Sequence, residues 1–138
     1  MIVARNISLQ TKGHCDIIDI THQVEQQLAE TGLNNGIVTL FVTGSTAAIT
    51  TTEFEPGLVS DFKSIWERIV PQDINYDHDR RWGDGNGHFH VRASLLGASL
   101  VLPFNDRKLA LGTWQQIVLV DFDNRPRSRK IMLQIMGE

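Results

Sequence analysis

Apolar and polar residues alternate over much of the chain, which is the pattern of β-strands with one buried face. The alternation is clearest at residues 2–9 and 129–136. Near-continuous apolar runs at 37–42 and 117–122 predict strands that are buried on both faces. Shorter strands are expected at 15–20, within 43–52 after a loop, at 100–104 and at 109–114.

Three other segments favour helices. Residues 21–32 start with Thr21, a good N-cap, and end at a glycine that suits the C-terminus of a helix. In residues 55–70, Pro56 lies in the first turn and apolar side chains recur at helical spacing up to the next proline. Residues 88–96 favour a third, shorter helix, preceded by a capping asparagine and ended by a glycine.

The connections between the later strands carry turn residues, so these strands are expected to form hairpins and an antiparallel sheet. No repeat, linker or change of composition divides the chain, and residues 1–138 should form a single domain. The predicted class is α+β: a mainly antiparallel sheet of about seven strands, with two or three helices.

Charge and composition argue against several classes of protein. The chain has 13 Lys and Arg against 16 Asp and Glu, a formal charge of −3, whereas nucleic-acid-binding domains usually carry a basic surplus. Neither a signal peptide nor a membrane span is predicted. The one cysteine, Cys15, rules out an internal disulfide, and it has no cationic neighbour except His14 that would activate it. We expect a cytoplasmic protein with a non-catalytic cysteine and no nucleic-acid or membrane partner.

A polar segment at residues 71–86 is long for a loop in a small domain, and such loops often carry function. The polar cluster in and after it comprises His78, His88 and His90, with Asp77, Asp79, Asp84 and Asn86. Histidines beside carboxylates can hold zinc or manganese or act as acid and base, but a solvated loop with only local hydrogen bonds is the alternative. On a helix, His88 and His90 point about 200° apart, so one ion would not bind both.

Other polar residues are weaker candidates on their own. Ser45 follows a strand without the G-x-S-x-G pattern of a nucleophile, and is more typical of a turn. Glu53 precedes a helix, where a carboxylate serves the helix dipole as readily as catalysis. Trp114 is more typical of a core or interface than of substrate stacking. The basic stretch 125–130 is either a solvated face or a phosphate contact.

Several motifs, in order, are similar to those of the YjbQ-like family, also called the secondary thiamine-phosphate synthase family. They include Phe41-Val42-Thr43-Gly44-Ser45-Thr46, Glu53-x-Glu55-Pro56-Gly57-Leu58, Gly83-Asp84-Gly85-Asn86-Gly87-His88-Phe89-His90 and Leu109-Ala110-Leu111-Gly112-Thr113-Trp114-Gln115-Gln116. The resemblance extends over nearly the whole chain. It is specific for the family and less specific for an activity.

The resemblance implies an α+β fold, a homotrimer and a polar pocket. The residues it places in this pocket are His90, Glu53 and Asn86 as catalytic groups, with Thr113, Trp114 and Gln116 as substrate contacts. We further expect Ser45, Thr46, His78 and His88 to contact the substrate, and His88 to join His90 if a metal is bound. Trp114 should lie in the core or near a subunit boundary. Many family members carry a histidine where this chain has Ser45, which weakens a three-histidine metal site.

The implied activity is that of a transferase that joins hydroxymethylpyrimidine diphosphate to a thiazole phosphate, with loss of pyrophosphate. The leaving pyrophosphate needs charge stabilisation, so Mg²⁺ is the expected cofactor, held by Glu53, Asp79 and Asp84. The expected phosphate contacts are Arg80, Arg81, Arg92 or the basic stretch 125–130.

Two other functions stay open on the sequence. A metal-assisted hydrolase would use His78, His90 and a carboxylate, with Zn²⁺ as the alternative ion. A non-catalytic module would bind a small anion at the hydroxyl and amide groups of Gly44, Ser45 and Thr46. In all three cases the partner is a small phosphorylated molecule or another small anion.

Overall fold

The computed structural model describes residues 1–138, which form eight strands and four helices. The strands are β1 (Ile2–Thr11), β2 (Asp16–Asp19), β3 (Gly36–Val42), β4 (Ala47–Thr52), β5 (Ser99–Asn105), β6 (Lys108–Leu109), β7 (Gln116–Asp121) and β8 (Arg127–Gly137). The helices are α1 (Thr21–Thr31), α2 (Pro56–Ile69), α3 (Asp77–Trp82) and α4 (Gly87–Leu96). The α+β class predicted from the sequence is confirmed.

The strands form two antiparallel sheets. The larger sheet has the order β1-β8-β3-β5-β6, and the smaller has the order β2-β7-β4. The longest pair is β1 with β8, which runs from Ile2 opposite Met136 to Thr11 opposite Arg127. The two alternating segments near the ends of the sequence are therefore neighbours in one sheet.

The chain forms three layers: the five-stranded sheet, the three-stranded sheet, and helices α2 and α4. One apolar core lies between each pair of neighbouring layers. In the first core, Leu40 and Leu133 of the five-stranded sheet are buried with Leu119 of the three-stranded sheet and the apolar residues of α1. In the second core, the other face of the three-stranded sheet packs against α2 and α4. There Trp66 of α2 lies edge-on to Phe122, with ring centroids 5.0 Å apart. The strand β7 is thus buried on both faces, as its continuous apolar run predicts.

Local contacts and backbone angles explain where α2 begins and where α1 ends. The carboxylate of Glu55 accepts hydrogen bonds from the backbone N–H groups of Gly57 and Leu58, and Pro56 occupies the first turn of α2. Helix α1 ends at Gly32, whose φ of 72° is left-handed and suits glycine. None of the four helices combines the length and apolar character that a membrane crossing requires.

Two segments differ from the sequence-based expectation. Residues 71–86, predicted as a loop, contain the short helix α3. It has acidic residues in its first turn and basic residues in its last, which suits the helix dipole, but no buried residue, so hydrophobic periodicity misses it. Of the strand predicted at 109–114, only Leu109 pairs with a neighbour, as the end of β6. Trp114 is 71% exposed, so it does not lie in the core of the chain, and its place near a subunit boundary stays a prediction.

Candidate metal centre

The junction of α3 and α4 brings together one histidine and two carboxylates of the polar segment. Nδ1 of His78 lies 3.6 Å from Oδ1 of Asp79 and 3.5 Å from Oδ1 of Asp84. One ligand atom from each of these residues lies within 4.8 Å of the other two. We call His78, Asp79 and Asp84 the His78 cluster. Its side chains are 28–48% exposed, so a small ion can reach them from solvent.

The local backbone explains how the His78 cluster forms. Gly83 and Gly85 have left-handed φ values of 69° and 65°, which allow the chain to turn sharply between the two helices. Oδ1 of Asp79 accepts a hydrogen bond of 2.8 Å from the backbone N–H of Gly87, and so ties α3 to the start of α4. A Cβ at Gly87 would lie 2.8 Å from Cβ of Tyr76, so no larger residue fits there without a shift.

Asn86 and His90 adjoin the His78 cluster. With its amide oriented to suit its neighbours, Asn86 donates to both carboxylate oxygens of Asp84, at 3.0 and 3.3 Å. The ring of His90 lies 4.6 Å from the ring of His78, centroid to centroid. His90 also lines a cavity of about 300 Å³ together with Ser45. We call this the His90 cavity; it places a histidine between the cluster and a space for a small molecule.

His88 lies away from this arrangement. Its side chain is 1% exposed, and neither ring nitrogen has a hydrogen-bond partner. Burial, reinforced by the positive charge of Arg92, lowers its pKa below the ordinary value. Its ring lies near Tyr76 and Phe89 instead. The structure therefore does not bring His88 to the side of His90 as a second metal ligand or a substrate contact, in agreement with the geometry of a helix.

The other expected site residues lie in a second cavity, of about 380 Å³. Its lining includes Glu53, Trp114 and Gln116, and it shares no residue with the His90 cavity. We call it the Glu53 cavity. Thr113 lies exposed in the loop beside it. The single pocket expected around His90, Glu53 and Asn86 is therefore not formed within one chain, because Glu53 follows the last residue of β4 and Gln116 begins β7, whereas Ser45 precedes the opposite end of β4.

Comparisons with known proteins assign the chain to a family. The family model described as "UPF0047 protein YjbQ-like" matches residues 5–138. The chain belongs to the YjbQ-like family. It is 38% identical to a UPF0047 protein of Archaeoglobus fulgidus, over 94% of this chain and 98% of the relative. It is 32% identical to the UPF0047 protein YugU of Bacillus subtilis, over 96% of this chain and 98% of the relative.

The fold of the YjbQ-like chain agrees with that assignment. A crystal structure from Sulfolobus solfataricus, described as a YbjQ-like protein of unknown function, superimposes with a TM-score of 0.94. The two chains are 37% identical, and the match covers 100% of this chain and 99% of the other. The resemblance predicted from the sequence motifs is confirmed.

A buried ionic network supports the wall of the His90 cavity in this YjbQ-like chain. Arg129 binds the carboxylate of Asp121 through two nitrogens, at 2.8 and 2.9 Å, and donates to the hydroxyl of Thr46 at 2.7 Å. The Thr46 hydroxyl donates in turn to Asp123, at 2.8 Å. Thr46 is thus 4% exposed and already satisfied. The hydroxyls that line the cavity are those of Ser45 and Ser94, and Ser94 donates to the carbonyl oxygen of His90.

The same network engages two cations of the basic stretch. Arg127 forms an ion pair with Asp123 at 2.9 Å, and Arg129 is bound to Asp121, whereas Arg125 and Lys130 are exposed and form no ion pair. Burial alone would raise the pKa of Asp121, but hydrogen bonds from Arg129 and Thr11 outweigh it, and the pKa lies below its usual value. The sequence could have shown that Arg129 is buried, because it shares the inward face of β8 with the alternating apolar residues.

The other three arginines predicted as phosphate contacts differ in their exposure to solvent. Arg92 is 4% exposed and forms an ion pair of 2.9 Å with Glu67. Arg80 and Arg81 lie on the exposed helix α3, where Arg80 pairs with Asp77 and Arg81 lies over the ring of Trp82. Arg80 and Arg81 are therefore the predicted phosphate contacts that lie beside the His78 cluster in sequence and open to solvent.

Proposed function

We propose that this chain is an enzyme that uses one divalent cation in a reaction of a small phosphorylated substrate. The observation that carries the proposal is the His78 cluster, where one ligand atom from each of three residues lies within 4.8 Å of the other two. Ligands at about 2.1 Å from a tetrahedral or octahedral ion lie roughly 3.0–3.4 Å apart. The two separations from His78, 3.5 and 3.6 Å, lie close to that spacing, and the carboxylates of Asp79 and Asp84 lie within 4.8 Å of one another.

The donor set indicates which ions are suitable. Two carboxylates suit Mg²⁺ and Mn²⁺, while an imidazole ligand favours Mn²⁺ or Zn²⁺. A bound ion would supply charge neutralisation at a phosphoryl group and polarise its oxygens. Asn86 holds Asp84 in place, and the backbone N–H of Gly87 does the same for Asp79. These second contacts keep the carboxylates oriented toward a common point.

His90 and Ser45 are the groups that face the substrate in this proposal. The His90 imidazole lines the same cavity as Ser45, where it can act as a general acid or base toward a bound substrate. Ser45 and the backbone beside it can donate to oxygens of the substrate. Arg127 and Arg129 are internally paired, so the charge on a diphosphate would be met by the cation together with exposed cations such as Arg80 and Arg81.

The first reaction to which we assign this site is the one that the family resemblance implies, formation of thiamine phosphate. The ring nitrogen of the thiazole phosphate attacks the methylene carbon of hydroxymethylpyrimidine diphosphate. A C–N bond forms, the C–O bond to the diphosphate breaks, and pyrophosphate leaves with the bonding electrons. No proton must be removed from the nucleophile, so the site needs charge stabilisation more than a strong base.

Metal-assisted hydrolysis of a phosphate ester is the second candidate. The observation that favours it is the pair of imidazoles, His78 and His90, whose ring centroids lie 4.6 Å apart. In that reaction one histidine binds the cation and the other takes a proton from water as the water attacks phosphorus. The P–O bond to the alcohol breaks, and the alcohol leaves with a proton.

Metal binding and the two activities can be tested on the same preparations. Calorimetric titration with Mn²⁺ should show one site per chain, and Asp84→Asn or His78→Ala should raise the dissociation constant tenfold or more. Asp77→Asn is the matched control, since Asp77 lies on α3 but is 96% exposed and outside the cluster. Metal-dependent product in either assay, lost in Asp84→Asn, supports the proposal. No Mn²⁺ binding, or equal loss in Asp77→Asn, contradicts it.

We also propose that the active form is a homotrimer whose subunits meet through the outer face of the five-stranded sheet. Six large apolar side chains on that sheet are exposed: Ile2, Ile37, Phe41, Val101, Met132 and Met136. Cross-strand partners share a face, and Met136 lies opposite both Ile2 and Ile37 while Met132 lies opposite Phe41. An apolar face of this extent is typical of an interface.

The trimer would also explain why the expected site residues occupy two cavities. We propose that the Glu53 cavity of one subunit and the His90 cavity of its neighbour complete one site. The high exposure of Trp114, 71%, supports a role at a boundary between subunits. The setting we propose is the cytoplasm, where the free thiol of Cys15 stays reduced.

A further inference from the structure

A third polar cavity, of about 330 Å³, lies between α2, α4 and the turn that follows β1. It shares no residue with the His90 cavity or the Glu53 cavity. The residues of its lining that matter here are His14, Cys15, Lys63, Glu67, Phe89 and Arg92. None of them belongs to the proposed catalytic site, so the cavity needs an explanation of its own.

Arg92 is the group that points to a ligand. Its side chain is only 5% exposed, and it donates from Nε and Nη2 to the carbonyl oxygen of Val70, at 3.1 and 2.8 Å. Nη2 also donates to Glu67. The remaining nitrogen, Nη1, makes no hydrogen bond within the protein, and it is not among the polar atoms enclosed without a partner. Nη1 is therefore open to solvent and can donate to an acceptor that enters the cavity.

The charge of the lining is positive. Lys63 and Arg92 are cationic, and the single carboxylate, Glu67, already pairs with Arg92. Lys63 forms no ion pair, so its ammonium group is available to a ligand. The apolar part of the lining is the ring of Phe89 and the thiol of Cys15, whose pKa burial raises to about 11, so that it is uncharged at neutral pH.

The backbone at the rim is strained. His14 and Cys15 have φ values of 56° and 60°, in the left-handed region that residues other than glycine rarely adopt. Backbone conformations of this kind cost of order 1–3 kcal/mol and occur at ligand-binding sites among other places. The two side chains lie at the rim of the cavity.

We propose that this cavity binds a small oxyanion, a carboxylate or a phosphate ester, between Nη1 of Arg92 and the ammonium group of Lys63. Its apolar part would lie against Phe89. The volume leaves room for a small anion that carries an apolar part. The site is independent of the His78 cluster and does not rest on the proposed function.

The test is a titration of the ¹⁵N-labelled full chain with inorganic phosphate and, separately, with acetate. We expect saturable shifts of the amides of residues 13–16, 63–67 and 89–92 with at least one anion. The anion that binds more tightly identifies the group. Lys63→Gln should raise the dissociation constant about tenfold, the effect of losing one charge-assisted hydrogen bond. Glu67→Gln should lower it several-fold, because it removes the carboxylate that competes for Arg92.

Arg68→Gln is the matched control. Arg68 lies on the same helix, is exposed like Lys63, and lines a different cavity, so its removal changes the net charge by the same amount. We expect it to leave the dissociation constant unchanged. The proposal is overturned if neither anion gives saturable shifts at these amides, or if Arg68→Gln weakens binding as much as Lys63→Gln. The Asp84→Asn variant should bind the anion normally, which separates this site from the proposed metal centre.

Discussion

His90 is the side chain on which the proposed chemistry depends most. It lies 4.6 Å from His78, ring to ring, and lines a cavity large enough for part of a substrate. His88, two residues earlier, is buried without a partner for either ring nitrogen. The sequence could not separate these roles by residue type, since both are histidines in one motif. The helix separates them, because positions two apart face different surroundings.

We predict that His90→Ala lowers turnover tenfold or more while the protein stays folded. The physical reason is the loss of a positioned imidazole, and such groups contribute about 10² to 10⁴-fold. The measurement is kcat for thiamine phosphate formation and for phosphate release, at matched thermal stability. His22→Ala is the control, since His22 is 98% exposed on α1. A stable and fully active His90→Ala protein would show that the site is misplaced.

The buried ion pair of Asp121 with Arg129 leads to a prediction about how stability depends on pH. Its folded pKa lies below the ordinary value of 3.8, so its contribution to stability is present above that pH and is lost as the pH falls through the folded pKa. Asp121→Asn leaves Arg129 without its ion pair, and we expect a loss of about 3 kcal/mol in the free energy of unfolding at pH 7. The loss relative to wild type should shrink below pH 4, measured by urea unfolding. An equal loss from Asp106→Asn, in an exposed turn, would contradict this interpretation.

At the scale of elements, the sequence predicts most of the helices and strands because their signals are local. A terminal glycine places the ends of α1 and α4, and proline places the start of α2. The expected capping by Thr21 is wrong, because Thr21 is the first residue of α1 and its hydroxyl donates to Asp19 instead. Helix α3 escapes prediction because its order comes from contacts with α4, such as the bond from Gly87 to Asp79. The residues of the His78 cluster are candidates from the sequence alone. Their spatial arrangement could not be predicted, because it depends on α3.

We predict that Gly44→Ala is more destabilising than Gly32→Ala. Both glycines have positive φ, 133° and 72°, but only at Gly44 would a Cβ meet another group, Nη1 of Arg129 at 2.5 Å. Arg129 cannot move without breaking its bonds to Asp121 and Thr46. Thermal unfolding should show a cost of about 1 kcal/mol for Gly32→Ala and at least 1 kcal/mol more for Gly44→Ala. Equal costs would mean that the network does not constrain this turn.

At the scale of the whole molecule, the layers leave one apolar sheet face uncovered. The sequence predicts the alternation of the strands in that sheet, but alternation does not show whether an outward methionine faces solvent or another subunit. For the same reason, the motifs that place Glu53, Trp114 and His90 in one pocket do not show that the chain divides them between two cavities. Both questions concern assembly, which local patterns do not encode.

We predict that the chain is a trimer by light scattering and that its sites are shared between subunits. His90→Ala and Glu53→Gln chains should each be weakly active alone. Co-expressed and purified as mixed trimers, they should recover about a quarter of wild-type activity, since random mixing leaves one site in four with neither change. A monomer at micromolar concentration, or mixed trimers no more active than their parents, would contradict the shared site.

The most direct test of the central claim is a crystal of the full chain grown with Mn²⁺ and measured for anomalous scattering. We predict one strong anomalous peak per chain, within about 2.3 Å of Nδ1 of His78 and of one oxygen each of Asp79 and Asp84. The same peak should be absent from crystals of the Asp84→Asn protein. A wild-type crystal in which these three residues bind no manganese, or in which manganese lies only elsewhere, would contradict the proposed metal centre.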